Sequence, residues 1–381
     1  MPGCPLPVEA LSPALRKHVD PAAPAPLRMM GAKGLVPAVA PGDLVTMLFF
    51  LSFDADAAVQ ETAARSASAL PEKIWSTALR SEAVDGPVLD WLADRLASSP
   101  GALQAILLNP ATSDETVARL APVVPAPLLE IIRQNELRLL RHDDIVRGLC
   151  RNPSAPASTI DGACDFCVRN GLVLLDVPQL VEAHRRIHGT DPASRSGEDS
   201  AETLLVEYRA ELAHEPEAEG GTGSMPPPDP EQELKRLSMT QRVLKMSVSQ
   251  KIKLATLGNR EARTLLLRDA NRLVSLAAAQ SPRITDGEIL SLANSRTANA
   301  DVLRYIYESR DFLKVYALRA ALVRNPKVPL PTALKFLPTL QEKDIKDLAR
   351  DRNVPATVMA QAKSWMIKRE MASKGSQGGK H

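Results

Sequence analysis

One corner, repeated along the chain, limits what this sequence can fold into. Leu318 to Leu334 reads Leu-Arg-Ala-Ala-Leu-Val-Arg-Asn325-Pro326-Lys-Val-Pro329-Leu-Pro-Thr-Ala-Leu, which compresses a helix end, a proline corner and a helix start into seventeen residues. A proline pushes the residue before it into extended geometry and cannot itself continue a helix, so the apolar helix closing on Leu322 and Val323 stops near Asn325. Pro329 suits the first turn of the next helix, where a missing N–H costs nothing. With Asn325 as position zero, equivalent anchors fall at Asn109, Asn152, Ser281, Asn294 and Asp351. Two residues before the anchor the positions are apolar, as at Leu107, Cys150, Ala279, Leu292, Val323 and Ala349. Four residues after it stand residues that mostly cap or open helices: Ser113, Pro156, Thr285, Ala298, Pro329 and Pro355. Eight after it, Val117, Ile160, Ile289, Val302, Ala333 and Met359 begin the next buried face. Consecutive anchors lie 43, 13, 31 and 26 residues apart, so the expected unit is one helix plus its turn, about thirteen residues.

Composition supports an all-α chain. Aromatics make up only 3% beside 31 prolines and abundant Ala and Leu, a mixture that stacked short helices tolerate. An alternating run of the kind a β-sandwich needs is missing. The longest apolar stretch, Met47 to Leu51 with Leu44 and Val45 before it, is too short to span a bilayer, and no secretory leader opens the chain. Four cysteines suit a reducing compartment, so the protein is expected in the cytoplasm with no membrane partner.

The order of the chain then suggests five parts. Residues 1–40 are Pro- and Ala-rich and read as a disordered tail. Residues 41–190 form a first helical module, in which Asp43, Asp54 and Asp56, Pro71 and Pro87 open short helices. Residues 191–230 lose the pattern and read as an acidic flexible linker, with Leu204, Leu205, Tyr208 and Leu212 at helical spacing inside it. Residues 231–372 form a second module, where Gly258-Asn259 looks like a C-terminal glycine stop and Thr285-Asp-Gly-Glu288 like a capping box. Residues 373–381 read as a disordered tail.

The corner with its preceding apolar pair resembles the leucine-rich repeat variant class of bacterial helical repeats, itself similar to HEAT and armadillo arrays. The run from Met246 through Lys251-Ile-Lys253-Leu-Ala, Gly258-Asn-Arg-Glu261-Ala-Arg263 and Arg268-Asp269-Ala-Asn271-Arg272 also resembles a group of bacterial proteins found chiefly in myxobacteria. The resemblance implies an α-solenoid in two modules joined by the acidic linker, and it carries no activity with it. The spacing of the corners is less regular than in that class.

Charge is unevenly placed. Residues 1–190 carry 17 basic and 21 acidic side chains, residues 191–230 carry 2 and 10, and residues 231–381 carry 28 and 14. A module with a net +14 draws anionic partners, its own acidic linker among them. Lys251, Lys253, Arg263, Arg268, Arg272, Arg283, Arg296, Arg304 and Arg324 fall on successive helices and are the candidate binding surface. A protein partner is expected first. Nucleic acid comes second, at the extreme bound by an enzyme similar to the HEAT-like alkylpurine DNA glycosylases, because few aromatics beyond Tyr305, Tyr307 and Tyr316 are there to stack on bases.

Catalytic patterns are weak. Cys164-x2-Cys167 followed by His184-x3-His188 approaches a zinc spacing, but the gap is longer than usual and the cysteines equally fit a buried helix face. His184 and His188 lack the glutamate that a metalloprotease helix needs beside its first histidine. Paired acids such as Asp143 and Asp144 open helices, where the macrodipole favours them. The expectation is a binding protein without catalytic residues, metal or cofactor.

Overall fold

This computed structural model describes residues 3–192 and 240–377, apart from Ala38, Glu82, Arg242 and Arg352, with side chains as far as Ile367. All regular structure among these residues is helical, with no strand, and no helix is long and apolar enough to cross a membrane. The chain divides into two compact units, Met1–Arg169 with Val173–Arg195, and Asn170–Leu172 with Ser196–His381.

The first unit contains α1 (Pro13–Arg16), α2 (Ala25–Ala32), α3 (Pro41–Leu51), α4 (Ala57–Ser68), α5 (Glu72–Leu79), α6 (Gly86–Arg95) and α7 (Pro100–Leu108). It continues with α8 (Asp114–Leu120), α9 (Ala126–Gln134), α10 (Glu136–Arg141), α11 (Asp143–Arg151), α12 (Ala157–Arg169) and α13 (Pro178–His188). Helices this short are marginal alone, so packing must hold them. That packing runs both to the adjacent helix, most extensively α12 on α13 and α3 on α4, and to the next helix but one. α3 lies on α5, α5 on α7 and α7 on α9; α2 lies on α4 and α4 on α6, while α8 skips two helices to lie on α11. Gly148 makes the last of these close, since a Cβ there would stand 2.9 Å from the Cβ of Ala121 and 3.1 Å from the carbonyl of Ala118.

Apolar run and burial coincide in α3, where every residue from Val45 to Leu51 is buried. Phe49 meets Phe50, Phe53 and Trp91 edge to face, with ring centroids 5.1 to 6.3 Å apart. Each such side chain contributes about 1.5–3 kcal/mol through burial, so this helix anchors the unit.

The second unit contains α14 (Val248–Leu257), α15 (Arg260–Leu266), α16 (Arg272–Ala279), α17 (Asp286–Ala293) and α18 (Ala300–Glu308). After these come α19 (Tyr316–Arg324), α20 (Leu330–Phe336), α21 (Glu342–Leu348) and α22 (Ala356–Gln377). The same rule holds: α14 packs on α16, α16 on α18, α17 on α19 and α20 on α22. The capping box at Thr285 is present, with Glu288 N–H donating to Thr285 Oγ1 and Thr285 N–H to Glu288 Oε2.

Four local expectations need correction. The stretch 1–40 is not a bare tail, because Leu11, Leu15 and Val19 are buried and α2 packs on α3 and α4. Its prolines open helices, as Pro13 does for α1. Asp43 is not a cap but lies in the first turn of α3, whose N-cap is Ala40. Gly258 ends α14 in extended geometry, φ −70° and ψ 165°, instead of the left-handed turn of a glycine stop. A Cβ on it would stand 2.4 Å from the carbonyl oxygen of Leu254, so close approach is what requires glycine there. The terminal stretch 373–381 is helical as far as Gln377, and residues 378–381 lie outside the described residues. The linker from 193 onward, with its Leu204 to Leu212 element, also lies outside them.

Candidate functional site

The corner asparagines do more than end helices. Asn109, after α7, donates from Nδ2 to the carbonyls of Leu79 at 2.7 Å and Ser81 at 3.1 Å, and its Oδ1 accepts the N–H of Ala111 at 2.9 Å. Asn325, after α19, donates to the carbonyls of Ala293 at 2.7 Å and Ser295 at 3.0 Å and accepts from Lys327 at 2.9 Å. Asn152, after α11, reaches Ala121 at 2.8 Å and Val124 at 2.9 Å and accepts from Ser154 at 2.8 Å. Each amide therefore closes its own turn through its oxygen and, through its nitrogen, ties the end of one helix to the end of the helix packed beside it. The carbonyls it meets are among those a helix end leaves without partners. All three side chains are buried, so the bonds form in a setting where leaving them unmade is expensive.

The partners of Asn109 and Asn325 correspond as well. Ser81 and Ser295 hold turns of the same kind, their Oγ accepting from Ala83 and Thr297, both at 3.3 Å. The same bond spans 28 residues from Ser81 to Asn109 and 30 from Ser295 to Asn325, so it ties helices of one pair and not successive thirteen-residue units. Asn294 is not an anchor; it is exposed, and its amide bonds Leu290 of its own helix at 3.0 Å. Ser281 does hold a corner, weakly, with Oγ 3.4 Å from the carbonyl of Thr256. Asp351 accepts from Asn353 at 2.8 Å, and a carboxylate has no N–H with which to reach back.

Hollows open beside these corners. In the first unit a hollow of about 440 Å³ lies between α5 and α7, with Trp75, Leu79, Ala105 and Leu108 as its apolar part. Glu72, Arg80 and Gln104 supply its polar rim, and Asn109 and Pro110 close one end. Leu108 is 61% exposed and adds an apolar side chain to the hollow's open side. In the second unit the Asn325-Pro326 corner borders a smaller hollow of about 130 Å³ that brings Arg296 and Arg324 together with Asp351 and Asn353. A third, about 120 Å³, holds Arg260, Arg268 and Glu288.

The nine expected basic residues divide accordingly. Arg263 leaves the surface: it is buried, with Nε 3.2 Å and Nη2 3.4 Å from the Glu288 carboxylate and Nη1 3.0 Å from the Gly258 carbonyl. Its role is to join α15 to the start of α17. Lys251 is bound to Asp269 at 2.9 Å with both side chains largely covered. Arg324 pairs with Asp344 at 3.2 Å, and that carboxylate also accepts from the Tyr316 hydroxyl. Burial, then the bond to Asp344, raise the Tyr316 phenol above its ordinary pKa. Arg272 stands 3.8 Å from Asp301. Arg268, Arg272, Arg283, Arg296 and Arg304 are exposed, the hydrogen bond to Tyr307 raising the Arg304 guanidinium above its ordinary pKa, and Lys253 is half-buried. The structure pairs Arg296 with Arg324, and Arg268 with the unforeseen Arg260, in two separate hollows.

The zinc alternative does not assemble. Among the described residues no three His, Cys, Asp or Glu side chains come together as a metal site. His184 is buried, with Nδ1 3.0 Å from the Thr190 carbonyl and its ring 4.6 Å from that of His188, while Cys164 faces Cys150. No protein-family model, curated protein or solved structure matches the chain.

Proposed function

We propose that the protein is a non-enzymatic binding scaffold, an α-solenoid of the HEAT and leucine-rich repeat variant kind, that takes a protein partner along its corners. The observation that carries this reading is the α5/α7 hollow. An exposed Leu108 and the buried Trp75 form an apolar seat, and Arg80 stands at its rim. Such a seat suits an extended segment offering one apolar side chain with a carboxylate close by.

Selection from a displayed random-peptide library against the full chain tests this. The expected result is enrichment of sequences pairing a large apolar residue with Asp or Glu, abolished by Leu108→Asp and weakened by Arg80→Glu. Equal recovery on wild type and Leu108→Asp would remove the seat from the argument.

A second reading, nucleic-acid binding by the second unit, draws on the exposed Arg268, Arg283, Arg296 and Arg304. It requires affinity for DNA or RNA that falls steeply with salt and drops on charge reversal at Arg268 and Arg296. Arg263 is not a probe for it, because the residue is buried against Glu288 and charge reversal there is expected to destabilise the fold.

A further inference from the structure

Three of the four cysteines lie in one small region of the first unit, at the junction of α11 and α12. Cys150 is the next-to-last residue of α11, and Cys164 and Cys167 share the inner face of α12. The Sγ atoms of Cys150 and Cys164 are 3.8 Å apart. A disulfide needs about 2.05 Å, so closure asks for movement of less than about 2 Å, within reach of side-chain adjustment. The backbone between the two is already set, because Asn152 pins the intervening corner to the carbonyls of Ala121 and Val124. Exposure separates the partners: Cys150 is half-buried, while Cys164 is 1% and Cys167 0% exposed.

From this geometry we propose that Cys150 and Cys164 are a redox pair, forming a reversible intrachain disulfide when the protein meets a peroxide. Cys150 is the attacking thiol. The hydrogen bond from Cys164 holds the Cys150 thiol below its ordinary pKa, and the same bond together with burial pushes Cys164 up. Burial pushes Cys167 up to about 12, which leaves it a protonated bystander. In the first step the Cys150 thiolate attacks one peroxide oxygen; the S–O bond forms, the O–O bond breaks, and the leaving hydroxide or alkoxide takes up a proton. Cys150 is now a sulfenic acid. The sulfur of Cys164 then attacks that of Cys150, the S–O bond breaks, and the leaving hydroxide takes the Cys164 proton and departs as water. Two thiols have lost two electrons to one peroxide. Two equivalents of an external thiol, or one dithiol, return the disulfide to two thiols by exchange and are themselves oxidised to a disulfide. The bond would lock α11 to α12 across the corner that Asn152 holds.

The full-length protein is treated with limiting hydrogen peroxide, alkylated and mapped by mass spectrometry. The expected result is loss of two of the four free thiols, a Cys150–Cys164 linked peptide within one chain and no disulfide between chains, and recovery of both thiols with dithiothreitol. Cys164→Ser should stop the reaction at a Cys150 sulfenic acid that dimedone traps, and Cys150→Ser should leave Cys164 and Cys167 unmodified. A Cys164–Cys167 link, chains joined through Cys4, or Cys150 passing directly to the sulfinic acid in wild type would each overturn the proposal. The wild-type experiment decides the matter even if a variant fails to fold.

Discussion

Asn109 in the first unit and Asn325 in the second make the same three hydrogen bonds to the same relative partners, yet what surrounds them differs. Each donates to the carbonyl of the preceding corner serine and to the carbonyl two residues before that serine, then accepts from the N–H two residues onward. The hollow beside Asn109 is large, with Trp75 and Leu108; the one beside Asn325 is small and lined by arginine and carboxylate. One device thus sets the helix-pair offset in both units, while the side chains around it are free to vary. A corner says how the helices stack, and its lining says what can bind.

The comparison extends to buried charge, where it yields the largest expected effect. Both units place an acid in the first turn of a helix and cover it with arginine from a neighbouring helix. In the second unit Glu288 has Arg263; in the first, Asp114 has both Arg138 and Arg141, with Arg138 Nη1 at 2.9 Å and Arg141 Nη2 at 2.8 Å from Oδ1. Arg263→Met strands a buried carboxylate and is expected to destabilise the protein by about 3–5 kcal/mol. Arg138→Met leaves Arg141 in place, and the loss should be nearer about 1–2 kcal/mol. Urea unfolding of the two variants reads the difference. Equal losses would mean that the second arginine of the first unit carries none of the load.

Next in size is the amide itself. Asn109→Asp and Asn325→Asp keep the turn-closing oxygen but replace two donated hydrogen bonds with a carboxylate facing two carbonyl oxygens. Each is expected to cost about 3 kcal/mol, from two stranded acceptors and a buried charge. Because the geometry is shared, the two losses should agree within about 0.5 kcal/mol. A loss at one site alone would break the equivalence of the two units. Ser81→Ala and Ser295→Ala should matter less, about 0.5–1 kcal/mol each, since the carbonyls that receive the asparagine remain and only the Oγ of a local turn is removed.

These contrasts also show what could be read from the residues alone. Proline placement gave the helix boundaries well, because a missing N–H acts locally and needs no tertiary partner. α5 and α6 begin within a residue of Pro71 and Pro87. The burial of the first forty residues was hidden for the same reason: Pro13 and Pro24 mark helix starts, and only packing on α3 and α4 distinguishes a start from a tail. The basic surface was half legible. Helical spacing put arginines on successive helices, but whether Arg263 faced water or Glu288 depended on a contact 25 residues away. Trp75 is buried, as apolar periodicity implies, but that periodicity gives no sign that a helix end will leave Leu108 exposed.

The smallest effect tests the register of the repeat. Aligning on Asn294 puts Ala298 four residues later, where other corners carry a residue that caps or opens a helix. Moving the anchor to Ser295 puts Asn299 there, and Asn299 is the N-cap of α18, accepting the N–H of Asp301 at 3.0 Å. The same offset from Ser81 reaches Asp85, the N-cap of α6. It also places Ala298 three residues after the anchor, matching the buried Val84, Val328 and Val354 at the other corners. Asn294 is then a solvent-facing residue at a helix end, and Asn294→Ala should change stability by no more than about 0.5 kcal/mol. Asn299→Ala, which removes a cap, should cost about 1 kcal/mol. If thermal or urea unfolding reverses that order, the helix pair is not counted from Ser295, and the correspondence between Ser81–Asn109 and Ser295–Asn325 fails with it.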